Sequence, residues 1–563
     1  MSFRLDRLWM PGTLALSLLT MASFVFAVDS PPQVAVGHHY AVVSASPEAS
    51  WIGLRVLREG GNVIDAAVAV GMAVGVGEAY GSGLGGKLAM VYRDGETGEV
   101  YALEALDRAS SNPEVMAYRG LERDERMTGW RSVCVPGMPA ALGAMHERWG
   151  SRPWGELVRP AAELARRGVV IDGAMLRQFE PKLEYLLADA EAARLYLVNG
   201  RLPRVGERLR NVDLAETLDL IADRGVDAFY RGRIAEEIVA AAQAAGAPLT
   251  LEDFAGYEVR WSDPLAADYR GYRVFSSVPP TTGGVTILAT LKALEGLPAA
   301  EFDPRGAALM DQVGRTLFGV YEPMAGQIAD VPSARADAEA MLTDAFAGTL
   351  RDRAASFDPA REAVADESAT VDATTHFIVA DSRGNVVSVT QSLSWHFGAA
   401  VIAPGTGVLM NNTMTNFALN TADSPNLIGP GQRPRSTIAP TLVTRGDQTA
   451  LAIGIPGGQR IPTTTLQLLM DTLMFGLSPA EAIDQPRYHL RRATTSRQGG
   501  NVIDLEQGMP RAVAETLEEA GWETQMHDRV GRYFGAGGMI RWLPDGRVEA
   551  TADTRRTNFA VAW

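Results

Sequence analysis

The run Thr374-Thr375-His376-Phe377-Ile378-Val379-Ala380-Asp381, then Ser382-Arg383-Gly384-Asn385, then Val386-Val387-Ser388-Val389-Thr390-Gln391-Ser392, decides how the rest of the chain is read. Two strand-like runs flank a four-residue turn with Gly384 and Asn385 in it, the signature of an antiparallel hairpin. Phe377 to Ala380 is apolar without alternation, so burial on both faces is expected, as in a layered αββα or α/β core. Upstream, Asp358 to Asp372 is rich in Asp, Glu, Ala and Arg and reads as the end of a polar linker. A linker that runs into a threonine at the head of a buried strand has a chemical reading. A threonine hydroxyl is a poor nucleophile until a base takes its proton, and a threonine at a new N-terminus carries that base in its own α-amine. A chain that cuts itself before Thr374 makes such a residue: Thr374 attacks the Ala373 carbonyl, the acyl group shifts to oxygen, and water opens the ester. Plain β propensity also puts paired threonines at a strand start.

Working outward, the chain before this hairpin alternates Ala- and Leu-rich helical patterns with Gly/Pro turns. Asn62, with Asp65 three residues on, reads as the capped start of a helix through Val70. Trp154 to Gly168 reads as an amphipathic helix closed by glycine. A composition shift from about 330 to 373 marks the linker, its first half, Ser333 to Ala340, readable as an exposed helix. Beyond the hairpin, Thr441 to Val443, Ala450 to Ile455 and Gly538 to Trp542 are further strand candidates. No repeat of the kind that builds solenoids or propellers is present.

The 563 residues carry 52 Lys+Arg against 67 Asp+Glu, a net charge of −15, which argues against nucleic acid and anionic membrane surfaces as partners. One cysteine, Cys134, excludes an intrachain disulfide framework and multi-cysteine metal sites, and reads as a buried apolar residue. Arg4 and Arg7, then an apolar run from Thr13 to Ala27, form a signal-peptide pattern. Residues 1–27 are therefore expected to be removed, leaving a periplasmic or secreted protein from Val28 without stable membrane insertion. Gly81-Ser-Gly-Leu-Gly-Gly86-Lys87 imitates a nucleotide-binding loop, but a helix precedes it and a strand follows, the reverse of the order phosphate binding needs. A tight loop between packed elements is the better reading. The seven histidines show no ligand spacing, so no metal is expected.

Several blocks occur in order along most of the chain: Gly60 to Ala69, Gly83-Leu-Gly-Gly86, Val135-Pro-Gly137, Trp154 to Gly168, Pro279-Pro-Thr-Thr-Gly-Gly284, Thr374-Thr-His-Phe377, Pro404-Gly-Thr-Gly407, Asn411-Asn412, Pro440-Thr441 and Pro456-Gly-Gly458. Together they resemble the gamma-glutamyltranspeptidase family of N-terminal-nucleophile hydrolases. The resemblance implies an α+β fold, an αββα four-layer sandwich. It implies an exported proenzyme cut into a large subunit, 28–373, and a small subunit, 374–563. It also implies a covalent acyl-enzyme that passes its acyl group to water or to an amine acceptor such as an amino acid or peptide, with no cofactor. By position, Thr374 matches the nucleophile and Ser392 the second hydroxyl bonded to it. Gly457 and Gly458 match the pair whose amides stabilise the oxyanion; a plain Pro-Gly-Gly turn is the alternative. Ser436 and Thr437 match the hydroxyls that hold the substrate carboxylate, or form an ordinary strand edge.

The substrate end departs from the family pattern. Leu106 stands where an arginine usually grips the donor's α-carboxylate, and Arg108 is its nearest substitute. Thr413 and Asn416 stand where acidic residues usually receive the α-ammonium; Ser394 replaces a usual asparagine; Arg435 replaces an apolar residue. Three readings follow. The first is an amidohydrolase and acyltransferase of γ-glutamyl amides such as glutathione. The second is an acylase on non-glutamyl amides, of glutaryl type, with Arg435, Ser436 and Thr437 holding a carboxylate. The third is a binding protein that keeps the fold without catalysis.

Overall fold

The computed structural model describes residues 30–361, 373–419, 423–491, 501–529 and 533–563. The expected signal segment and the last part of the expected linker, 362–372, lie outside the described residues. Two seven-stranded antiparallel sheets form the middle of the molecule. One runs, edge to edge, Gln33–Gly37, Val548–Ala552, Gly538–Trp542, Gln448–Gly454, Thr441–Arg445, Tyr272–Ser276, Leu265–Tyr269. The other runs Phe559–Ala562, Tyr40–Ser44, Ala373–Asp381, Val386–Ser394, Lys87–Arg93, Val100–Ala105, Arg260–Ser262.

The expected hairpin lies at the centre of the second sheet, Phe377 opposite Val389 and Ala380 opposite Val386, and all nine residues of each strand are buried. Side chains alternate across a strand, and the two faces meet different layers. Ile378 and Ala380 point inward to Leu442, Ala452 and Ile540 of the facing sheet. Phe377 and Val379 point outward to a helical layer that includes Pro47–Arg58, Val63–Gly77 and Trp154–Arg167. A second helical layer, Gly283–Leu294, Ala307–Gln327 and Arg460–Leu473, covers the outer face of the first sheet. The order is helix, sheet, sheet, helix, the expected sandwich.

The local signals explain the elements. Asn62 accepts from the amides of Ile64 and Asp65 while the Asp65 carboxylate accepts from the Asn62 amide, a reciprocal cap. Gly168 ends its helix with φ 79°. Ala334–Ala340 is a helix, as expected for the first half of the linker, and a second helix that was not expected, Asp344–Ser356, buries Ala347, Leu350 and Ala354. Its alanines and one leucine supply an apolar stripe that composition alone concealed. Among the described residues, no helix is long and apolar enough to cross a membrane.

Candidate active site

Thr374 lies where the strand register slips: Ala373 pairs with Ser394, but Thr375 pairs with Gln391. Such a bulge re-aims a side chain out of the ladder. Thr374 is 2 % exposed, and its hydroxyl lies 3.2 Å from Ser392 Oγ and donates to the Ala373 carbonyl at 2.5 Å. Ser392 Oγ donates to that same carbonyl at 2.5 Å and accepts from the Ser394 amide at 2.9 Å. The Ala373 carbonyl, the Thr374 hydroxyl and the Ser392 hydroxyl thus meet at one point.

From there contacts lead through Ser394, Thr413, Asn416 and the segment from Arg435 to Thr437 as far as Gly458. Ser394 Oγ and Thr413 Oγ1 are 2.7 Å apart. Thr413 and Asn416 share one 3-10 turn, Thr413–Asn416, and Asn416 Nδ2 donates to the Arg435 carbonyl at 3.1 Å. Arg435 leads directly to Ser436 and Thr437, and Thr437 Oγ1 donates to the Gly458 carbonyl at 2.8 Å. The Thr282 amide donates to the Ser436 carbonyl at 2.7 Å, which brings in the Pro279 to Gly284 block. Asn411 ties in two more blocks, donating to the carbonyls of Gly85 at 2.7 Å and Cys134 at 2.8 Å.

Gly457 and Gly458 hold φ of 142° and 60°, conformations open to glycine and rare for L side chains. The helix Arg460–Leu473 starts two residues later, so its positively polarised end lies beside their amides. The preceding strand packs against the nucleophile's strand: a Cβ on Gly454 would stand 2.0 Å from the His376 ring. His376 bonds Thr390 Oγ1 at 2.9 Å, and burial pushes its imidazole down to about 3, so it is neutral. Among the described residues no group of three or more His, Cys, Asp or Glu gathers to hold a metal ion.

Two arginines singled out in the sequence lie at helix ends. The Arg435 guanidinium donates to the carbonyls of Ala325 and Ile328, capping the end of the helix Ala307–Gln327. Arg108 donates to the carbonyls of Asp253 and Gly256 at 2.8 and 2.9 Å, at the end of the helix Leu251–Ala255. Unpaired C-terminal carbonyls attract both guanidiniums. Leu106 is fully buried in the apolar layer with Val278 and Ile438.

Sequence reasoning missed three charged residues here. Lys87, 1 % exposed, donates from Nζ to Ser394 Oγ and, at 3.2 Å, to Thr413 Oγ1. Asp107 accepts from Thr413 Oγ1 and lies 3.9 Å from Lys87 Nζ. Burial pulls the Lys87 ammonium down and pushes the Asp107 carboxyl up, each opposed by the other's charge. Glu78 accepts from Thr375 Oγ1, beside the nucleophile, and burial pushes it up to about 7 against the Arg556 charge. One signal was available for Lys87: a charged residue opening a strand whose other members are Leu, Ala, Met, Val, Tyr and Arg.

A four-layer αββα sandwich with a hydroxyl residue at the head of a central strand defines the N-terminal-nucleophile hydrolase class of architecture. The family profile described as gamma-glutamyltranspeptidase matches residues 49–563, and the chain belongs to that family. It is 33 % identical over 495 residues to the glutathione hydrolase proenzyme of Pseudomonas sp. (strain A14), covering 84 % of this chain and 86 % of the relative. It is 31 % identical to the acylase ACY 1 proenzyme of Pseudomonas sp. (strain SE83), covering 95 % of each. The crystal structure of cephalosporin acylase from Bacillus halodurans superposes with a TM-score of 0.83 at 27 % identity, covering 95 % of this chain and 97 % of that one.

Proposed function

We propose that this chain is a self-cleaving threonine amidohydrolase and acyltransferase that cuts itself between Ala373 and Thr374. The observation that carries this reading is the convergence of Thr374 Oγ1 and Ser392 Oγ on the Ala373 carbonyl. Thr374 Oγ1 attacks that carbon, the carbon–nitrogen bond breaks, and the hydroxyl proton ends on the freed amine. Water then hydrolyses the ester and leaves Thr374 with its own α-amine as base. In turnover, Thr374 attacks a donor amide, the α-amine passes the proton to the leaving amine, and the acyl group waits on Oγ1 for water or an amine acceptor. Ser392 orients the nucleophile, and the amides of Gly457 and Gly458 receive the oxyanion beside a helix N-terminus. Base and nucleophile come from one residue, so the scheme uses no cofactor.

γ-Glutamyl amides such as glutathione are the first donor class, supported by family membership and by the relatives named glutathione hydrolase. The second is an amide whose acyl group lacks an α-amine, supported by the neutral Thr413 and Asn416 where the family pattern has acidic residues to receive an α-ammonium. The acylase relatives add support. The charged start and apolar run of residues 4–27 support export to the periplasm or beyond.

Intact mass of the purified wild type beside Thr374→Ala tests the reading. The wild type is expected to yield a fragment from Thr374 to Trp563 while the variant stays whole. A wild type that stays whole after long incubation would sink it.

A further inference from the structure

Lys87 opens the strand Lys87–Arg93 directly opposite Ser392, so the two side chains share one face of the sheet. Its ammonium is held by Ser394 Oγ and Thr413 Oγ1, and Asp107 accepts from that same Thr413 hydroxyl. Lys87, Asp107, Ser394 and Thr413 are all within 1 % of complete burial. Ser394 holds φ 74°, an uncommon conformation for a residue with a side chain, and its amide donates to Ser392 Oγ. The cluster is therefore one hydrogen bond from the hydroxyl beside the nucleophile, where the acyl group of a Thr374 ester must lie.

The charge count inside the cluster decides what it accepts. Without Lys87, Asp107 and two hydroxyls form a buried set of acceptors with one negative charge, suited to a donor's ammonium. With Lys87 the set is neutral and both hydroxyls accept from its ammonium. Asp107 Oδ1 alone keeps an unused acceptor, and a second ammonium drawn to it would meet the Lys87 charge, which lies 3.9 Å from the other oxygen of that carboxylate. We propose that Lys87 is the donor-specificity residue, an internal ammonium standing where a γ-glutamyl donor would place its own. The site then selects amides whose acyl group lacks that amine, glutaryl being the amine-free counterpart of γ-glutamyl. This rests on the acyl-transfer reading above and names its donor class.

The test compares glutaryl and γ-glutamyl p-nitroanilides with processed wild type, Lys87→Met and the double variant Lys87→Met/Asp107→Asn. Wild type is expected to favour glutaryl by at least about tenfold in kcat/KM. Lys87→Met is expected to move that ratio at least about tenfold toward γ-glutamyl, mainly through KM, because Asp107 becomes available to the donor's ammonium. The double variant, which removes both charges and avoids an uncompensated buried carboxylate, is expected to show no shift of the ratio toward γ-glutamyl, because it offers a donor's ammonium no carboxylate. Calorimetric binding of glutarate against L-glutamate to processed wild type reads the same preference without turnover. Equal or better handling of the γ-glutamyl compounds by wild type overturns the proposal, even if neither variant folds. So does a ratio that Lys87→Met leaves unchanged. Failure of Thr374 to become an N-terminus is a separate result and overturns the acyl-transfer reading instead.

Discussion

Ser392 Oγ stands 3.2 Å from Thr374 Oγ1, and each hydroxyl donates to the Ala373 carbonyl oxygen at 2.5 Å. The carbonyl that Thr374 attacks is thus already polarised by a second donor, itself fixed by the Ser394 amide. Removing one oxyanion donor costs about 2.7–4 kcal/mol in sites of this kind. Ser392→Ala is therefore expected to slow self-cleavage by about 10²–10³-fold without abolishing it, and Ser392→Thr to retain much of the rate. Appearance of the small fragment over time measures both, and an unchanged rate in Ser392→Ala would remove Ser392 from the mechanism.

The turn proposed to receive the oxyanion depends on a glycine far away in sequence. Gly535 holds φ 71°, and a Cβ there would lie 1.8 Å from the Pro456 carbonyl oxygen and 3.3 Å from Gly457 Cα. Arg487, ion-paired with Asp553, donates to the Gly535 carbonyl at 2.9 Å, so this backbone has little room to retreat. Gly535→Ala is expected to displace the Pro456-Gly457 turn and lower kcat about 10²-fold, with a smaller change in KM, because the oxyanion exists only during reaction. Steady-state kinetics on an amide donor check this; an unchanged kcat would mean that the glycine amides do not serve the oxyanion.

Glu78 gives stability a pH dependence of definite sign. Its carboxyl is pushed up to about 7 from 4.5 by burial, so the folded protein holds a proton that the unfolded chain releases sooner. The stabilising contribution is complete below about 4.5 and is lost as pH rises through about 7. In the uncut Thr374→Ala background, Glu78→Gln is expected to gain on its parent between pH 5 and 8, by up to about 3 kcal/mol at about 1.36 kcal/mol per unit. Denaturation midpoints at the two pH values measure the difference, and parallel pH curves would contradict the assignment.

Gly454 faces the His376 ring so closely that any side chain collides with it, the nearest ring atom being 2.0 Å from the Cβ position. His376 is fully enclosed and bonded to Thr390, which leaves it little freedom to move. Gly454→Ala is expected to destabilise the protein by about 1–3 kcal/mol, the usual cost of overpacking, and to slow self-cleavage by shifting the strand that carries Thr374. A thermal melt beside the fragment assay reads both, and an unaltered melt would show that the two sheets separate easily at this point.

The sequence by itself determined the central hairpin, the reciprocal cap at Asn62 and Asp65, the glycine-ended helix before Gly168 and the order of the site blocks. These are short-range matters: turn residues, caps and apolar periodicity act within a few positions of one another. That Thr374 and Ser392 meet is implied by the family resemblance rather than by the hairpin pattern, since the register slips at Thr374. Only the tertiary structure decided that Arg108 and Arg435 turn to the carbonyls of helix ends, and that a second helix, Asp344–Ser356, follows the one expected in the linker's first half. Only it could bring Lys87 onto Ser394 and Thr413, 307 and 326 residues away. A buried charge takes whichever partners the packed layers put within reach, and that distance is set by how sheets and helices stack, which no local pattern encodes.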